Sequence, residues 1–267
     1  MTAPPIITLT TDFGLTDGYV GAVKGVILRI NPAAGIVDIS HHIPSQDVFR
    51  AAFVLRTAAP YFPDNTIHLA VVDPGVGSSR RAILLKTENQ LYLSPDNGTL
   101  THILRRPGSK TLHQIENQSY FRPRVSHTFH GRDIFAPVAA NLSLGVPPED
   151  MGPEIYDPVL LNIPDVTRND IQLTGRVIYV DRFGNLVTNL ALEEVASFAG
   201  GREIRTTLDG GLGLTGVKSS YTEVAPGEYL AIFGSWELLE ISKNLGNAAA
   251  ALGISPGVGV TITRLKQ

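Results

Sequence analysis

The 267-residue chain has no cysteine, which excludes disulfides, thiolate metal sites and thiol nucleophiles, so any catalysis must draw on other side chains. It has no excess of basic charge. Lys and Arg total 22 against 25 Asp and Glu, a net charge of −3, so the basic footprint of a nucleic-acid binder is missing. Nor does it contain an uninterrupted apolar run near the ~18 residues of a membrane-spanning helix. Residues 1–5 lack the basic start and long apolar stretch of an export signal, so a soluble, cytoplasmic protein with no membrane partner is expected. Internal repeats and low-complexity tracts are also lacking. What is present is ordinary globular composition, 43% hydrophobic and 18% charged, in a length that suits two domains of ~100 to 200 residues.

Residues 6–11 form a short β-branched run that ends at Asp12-Phe13-Gly14 and predict a buried strand leaving at a turn. Apolar residues then recur at helical spacing over 16–30, with Thr16 and Asp17 suited to the start and Pro32 beyond the end. A strand over 36–40, a helix over 47–59 and an apolar strand over 67–72 closing on Asp73 continue the alternation. This pattern predicts a mostly parallel sheet covered by helices. A hairpin over 82–86 and 90–93 and an amphipathic helix over 132–142 complete it. From 145 to 164 the prolines multiply and periodicity is lost, as in a linker. Beyond it, short β-rich runs at 175–180, 186–190, 228–233, 238–241 and 259–264 predict a smaller antiparallel barrel or sandwich. The fold class is therefore α/β, with domains over residues 1–160 and 168–267. Gly210-Gly211-Leu212-Gly213-Leu214-Thr215-Gly216 has no strand before it and no helix after it to frame a phosphate, and reads as a hairpin turn.

Ligands of open parallel sheets bind beyond the carboxyl ends of the strands, where Asp12 and Asp73 both fall, although Asp also commonly caps a turn. Asp73-Pro74-Gly75-Val76-Gly77-Ser78-Ser79-Arg80 is a Gly-rich turn that returns an arginine toward the carboxylate, either as a site element or as a surface ion pair. His130, in Phe129-His130-Gly131-Arg132-Asp133, precedes a helix, where its neutral form is favoured and can relay a proton. Asp181-Arg182-Phe183-Gly184-Asn185 offers a carboxylate, an aromatic face and an amide suited to a purine, or equally a plain β-turn.

Thr10-Thr11-Asp12-Phe13-Gly14, Val72-Asp73-Pro74-Gly75-Val76-Gly77, Ser94-Pro95-Asp96-Asn97-Gly98, Phe129-His130-Gly131-Arg132-Asp133 and Asp181-Arg182-Phe183-Gly184-Asn185 together cover nearly the whole chain. In this order they resemble the S-adenosyl-L-methionine (SAM) hydroxide adenosyltransferase family, relatives of fluorinase and chlorinase. The resemblance implies hydrolysis of SAM by water or hydroxide attacking the ribose 5′ carbon, giving adenosine and L-methionine, with no metal and no cofactor. It places the reacting groups on Asp73, Arg80 and His130. It assigns Asp12 to the ribose hydroxyls, Phe129 and Phe183 to the nucleoside pocket and Asn185 to adenine. Asp17, Asp181 and Ser235 fall to the amino-acid portion. Halide-using relatives carry other residues at the positions of Asp73 and His130, and the carboxylate here favours water. Trp236 departs from the pattern, standing where fluorinase has arginine, and reads equally as pocket wall or packed core. The resemblance also implies a homotrimer with each site formed between subunits.

Two other readings compete. A metal-dependent nucleoside hydrolase would use Asp12, Asp17, His41, His42 and Asp73 as ligands, but no compact ligand motif such as His-Glu-x-x-His occurs. A non-catalytic adenosine or SAM sensor would share the pocket and have no use for a reacting set around a water-sized position.

Overall fold

The computed structural model describes residues 4–265, so residues 1–3 of the N-terminal segment and residues 266–267 lie outside it. The chain divides into two units, Met1–Leu161 and Asn162–Gln267. No helix among the described residues is long and apolar enough to cross a membrane.

The first unit runs β1 (Ile6–Thr11), α1 (Tyr19–Ile30), β2 (Gly35–Ser40), α2 (Val48–Ala58), β3 (Ile67–Val71), β4 (Ala82–Thr87), β5 (Leu91–Pro95), α3 (Thr101–Leu104), β6 (Lys110–Gln114) and α4 (Ala136–Ser143). Its sheet has the order β2-β1-β3-β5-β4-β6. The first four strands are parallel, and β4 is antiparallel to both β5 and β6. Alternation within the strands decides the layering. Ile7, Leu9, Leu69 and Val71 pack with Val23 and Ile27 of α1 and with Val138, Ala139 and Leu142 of α4. Ala70, Ile83, Leu85 and Tyr92 face the other way, toward Leu55 of α2 and Ile103 of α3. Every residue of β3 is buried, as expected of a central strand covered on both faces.

α1 starts at Tyr19, later than residue 16, because residues 12–18 are spent on the turn out of β1. Gly14 adopts φ +66° and donates its N–H to the His41 carbonyl at 2.8 Å. The expected helix over 132–142 opens with a π-helical turn, Gly131–Phe135, and becomes α-helical at Ala136. The proline-rich stretch is not a free linker. The backbone N–H groups of Ile155, Val159 and Leu161 donate to Leu112 O, Asp96 Oδ1 and Thr101 Oγ1 at 2.8 Å each, stitching it onto the first unit.

The second unit contains β7 (Thr167–Arg168), β8 (Gln172–Val180), β9 (Leu186–Ala191), α5 (Leu192–Ala199), β10 (Ile204–Leu208), β11 (Gly213–Thr215), β12 (Tyr229–Phe233), β13 (Leu238–Lys243), α6 (Ala248–Leu252) and β14 (Gly259–Arg264). The order β11-β10-β14-β8-β9-β13-β12 is antiparallel throughout, and an isolated bridge between Lys218 and Ile232 brings the two ends together. It is thus a nearly closed barrel rather than a sandwich. The interior holds Leu173, Val177, Leu190, Leu239, Ile241 and Val260. The 210–216 segment holds the β10–β11 hairpin turn, with Gly210 and Gly211 at positive φ, and β11 itself.

Candidate active site

The site of the first unit is built at the carboxyl ends of β1 and β3. These strands are parallel neighbours with Thr11 opposite Val71, so the residues following them, Asp12 and Asp73, leave the same edge of the sheet. Asn97 fixes that edge by donating its Nδ2 to the Val72 carbonyl at 2.8 Å.

Asp73 opens a turn whose shape is set by its small residues. The Gly77 φ is +78°, and a Cβ there would run into the His127 carbonyl oxygen, so only glycine fits. The Ser78 hydroxyl donates to Gly75 O at 2.6 Å and accepts from Arg80 N at 3.2 Å. The turn therefore delivers Arg80 back over Gly75 onto Asp73. Its Nε lies 3.0 and 3.1 Å from the two Asp73 oxygens, and its Nη2 donates to Oδ2 as well. The side chains of Asp73 and Arg80 are 6% and 11% exposed, so this is a largely desolvated, bidentate pair rather than a surface contact. The next residue, Arg81, is held separately by Asp96, Nε to Oδ2 at 2.8 Å, and by Asp157, Nη1 to Oδ1 at 2.7 Å.

Arg80 Nη2 also reaches His130 Nδ1 at 2.8 Å. A guanidinium can only donate, so Nδ1 must accept and the ring proton of neutral His130 resides on Nε2. Burial holds the His130 pKa below the ordinary histidine value, reinforced by the Arg80 charge and opposed by Asp73. The neutral form, with its ring proton on Nε2, is thus the form this site favours near neutral pH.

Asp133 lies in the π-helical turn that follows His130, with its side chain fully buried. It accepts from Arg132 Nε and Nη2 at 2.7 Å each, from Arg122 Nη1 at 2.8 Å and from Ser126 N at 2.9 Å. Burial works against its charge, yet the bonds from Arg132, Ser126 and Arg122 prevail and hold its pKa at about 2. Three rings from the segments that carry Asp12 and His130 pack together. Phe129 lies 5.6 Å from Phe13 and 5.2 Å from Tyr19, both edge-on, and Arg132 covers Phe129 at 4.9 Å. Gly131 gives these rings room, since a Cβ there would stand 3.1 Å from Phe13. Sequence reasoning named Phe129 but not Phe13 or Tyr19. Phe13 sits inside a motif already singled out, whereas Tyr19 carried no signal beyond being the first aromatic of α1.

Asp12, half-buried, accepts from Gln46 N at 2.9 Å, while Asp17 is exposed in the loop before α1. The residues of the alternative metal set do not gather. His41 is engaged by Thr11 Oγ1 at 2.8 Å and Asp38 Oδ1 at 3.0 Å, His42 is exposed, and no group of three or more His, Asp or Glu side chains suited to a metal occurs among the described residues.

In the second unit, Asp181 is a turn builder. Its Oδ1 accepts from Phe183 N at 2.9 Å and Asn185 N at 2.8 Å, and its Oδ2 from Asn185 Nδ2 at 2.9 Å. This presents Phe183 to solvent, 76% exposed, and buries Asn185. Ser235 is exposed, and Trp236 is half-buried with its ring edge-on to Tyr179 at 6.0 Å. Two residues near Asp181 carried no sequence signal, Tyr221 and the buried Glu240 of β13.

Residues 7–152 match the model of the SAM hydroxide adenosyltransferase N-terminal domain, and residues 175–261 match that of the SAM hydroxide adenosyltransferase C-terminal domain. A protein of Salinispora tropica named (R)-S-adenosyl-L-methionine hydrolase is 39% identical over 98% of this chain and 99% of the relative. One of the same name from Thermus thermophilus is 39% identical over 94% of this chain and 97% of the relative. The crystal structure of an uncharacterized conserved protein from Thermotoga maritima superposes with a TM-score of 0.90 at 38% identity, covering 97% of this chain and 100% of the other. With both halves matched in order and close relatives aligned end to end, the chain belongs to the SAM hydroxide adenosyltransferase family.

Proposed function

We propose that the protein hydrolyses SAM by attack of water, or hydroxide, on the ribose 5′ carbon, releasing adenosine and L-methionine. The observation that carries the mechanism is the contact chain Asp73–Arg80–His130, two groups from one turn and a third fifty positions away, joined through one guanidinium. The sulfonium leaves as a neutral thioether, so no acid is needed for the departing atom. The demand falls on holding the nucleophile in line and accepting its proton.

The tautomer divides those roles. With Nδ1 occupied by Arg80, His130 offers an Nε2–H that holds the water oxygen by one lone pair, leaving another for the carbon. Asp73 is the proton acceptor in this reading. An ionised carboxylate beside arginine is a weak base toward free water, but water becomes strongly acidic as its oxygen bonds to carbon, so transfer late in the step is favourable. The oxygen–C5′ bond forms, the C5′–S bond breaks with its electron pair moving to sulfur, and the proton leaves through Asp73.

The Phe13, Tyr19 and Phe129 rings then line the nucleoside pocket and Asp12 takes the ribose hydroxyls. Phe183 and Asn185 meet adenine, while Asp17, Asp181 and Ser235, with Trp236 beside them, meet the amino-acid end. The reading includes a cytoplasmic homotrimer in which one copy's first unit and a neighbour's second unit complete each site. Light scattering reports the trimer. The reaction is tested by incubating the purified protein with SAM and quantifying products: equimolar adenosine and L-methionine are expected, with turnover lost in Asp73→Asn. Binding of SAM without turnover would instead favour the sensor reading.

A further inference from the structure

The second unit contains a charge that its own fold leaves unanswered. Glu240 is 5% exposed on β13, and its partners across the sheet are the buried apolar residues Ile232 on β12 and Val187 on β9. Alternation puts it on the face opposite Leu239 and Ile241, which point into the barrel interior. Burying a carboxylate is costly unless it is paired. Yet among the described residues no ion pair or hydrogen bond serves it, and the only charged group acting on it is Asp181, of the same sign. Burial first and Asp181 second push its pKa up to about 7. Tyr221 is the other titratable group facing it, and its hydroxyl is pushed up by burial and by both carboxylates. On its remaining side Glu240 lies against Gly234, where any side chain would collide with the carboxylate. Gly234 immediately precedes Ser235. An unpaired buried acid, a second acid and a chain left bare beside them form a concentration of negative charge next to the segments assigned to the amino-acid end.

We propose that Glu240 is a specificity-determining residue for the amino-acid end of the substrate, supplying with Asp181 the negative charge that receives the α-ammonium group. This rests on the SAM reading above and deepens it. Without ligand, burial and the neighbouring like charge leave Glu240 only partly ionised near neutral pH. Arrival of the ammonium stabilises the Glu240 carboxylate, so the protonated fraction of Glu240 ionises and its proton passes to solvent. An analogue with the nucleoside but no ammonium draws no such response.

The test is calorimetric titration of the whole wild-type protein and Glu240→Gln with L-methionine, adenosine and 5′-deoxy-5′-(dimethylsulfonio)adenosine. Titrations are run near pH 7 in two buffers of different ionisation enthalpy, alongside KM and kcat for SAM. Expected are proton release on methionine binding in the wild type and none in Glu240→Gln. The variant should also show at least a roughly tenfold rise in the methionine Kd and the SAM KM, with the loss falling on KM rather than kcat. Affinities for adenosine and the dimethylsulfonio compound should be unchanged. Methionine binding without proton release in the wild type overturns the assignment without recourse to any variant. Equal losses for methionine and adenosine also overturn it, by showing a structural role. Loss confined to the dimethylsulfonio compound overturns the choice of ammonium over sulfonium. Failure of the wild type to convert SAM counts against the reaction and is read separately from methionine binding, which alone judges Glu240.

Discussion

Replacing Arg80 by lysine separates charge from geometry at the reacting centre. In the native site Nε spans both Asp73 oxygens at 3.0 and 3.1 Å while Nη2 reaches His130 Nδ1 at 2.8 Å. One ammonium can replace the charge beside Asp73 but cannot also bridge to His130. Its Coulomb attraction to Asp73, about 4 kcal/mol at 4 Å with an effective dielectric of about 20, retains the charge pairing and keeps the variant folded. What is lost is the bond that fixes the His130 tautomer, about 1.5 to 3 kcal/mol for a hydrogen bond to a charged group. At about 1.4 kcal/mol per decade this predicts a fall in kcat/KM of about 10- to 150-fold with little change in thermal midpoint. Arg80→Met goes further. It strands Asp73, whose side chain is 6% exposed, at a stability cost of about 3 to 5 kcal/mol. It also removes a charge that lowers the His130 pKa, so the acid limb of the pH profile moves upward. Adenosine formation followed by chromatography from pH 5 to 9, with thermal melts, supplies every quantity. Wild-type kcat/KM in Arg80→Lys would refute the reasoning, since charge alone would then suffice.

Other consequences can be checked with the same assays. The wild-type profile keeps its activity to below the ordinary histidine range, because burial and Arg80 preserve neutral His130 there; an acid limb at or above 6.5 would contradict this. Asp133, held at about 2 against an ordinary 3.8, contributes about 2 kcal/mol near neutral pH. That contribution is present above about pH 4 and disappears as pH falls through about 2. Asp133→Asn is therefore clearly less stable than wild type in denaturant melts at pH 7, and the gap narrows on acidification. Gly77→Ala collides with the His127 carbonyl and lowers kcat by displacing Arg80, which a wild-type rate would disprove. Phe129→Ala removes two edge-on ring contacts and raises KM by about 3- to 10-fold. Activity in excess EDTA equals that without it, and loss there would restore the metal reading.

The parts of the fold carried by long-period patterns were legible in the sequence. The strands at 6–11 and 67–71 and the helices that cover them announce themselves because both faces of β1 and β3 are buried and the runs are accordingly apolar. Elements that gain stability only from tertiary context were not. β6, Lys110-Thr111-Leu112-His113-Gln114, is polar at four of its five positions and exists by pairing with β4. α5 has eight residues and no side-chain cap, and is held by Val195 and Phe198 in the barrel core. The stretch at 145–164 reads as a linker by composition, since its anchoring comes from backbone amides that leave no trace in side-chain pattern. The same distinction holds at the site. The Gly-rich turn from Asp73 to Arg80 is local, so their pairing was foreseeable, whereas the Arg80–His130 contact spans fifty positions and comes from tertiary packing that no local pattern records. Glu240 was hidden altogether, because alternation marks its position as facing away from the core and nothing local shows that this face is buried too.

The central claim is that a water molecule gripped by Asp73 and His130 supplies the oxygen that replaces sulfur on C5′. Turnover of SAM in oxygen-18 water, followed by mass spectrometry of the nucleoside, tests it most directly. Adenosine heavier by one oxygen-18 at the 5′ hydroxyl and unlabelled L-methionine are expected; unlabelled adenosine, or cleavage to adenine in place of adenosine, would overturn the proposed mechanism.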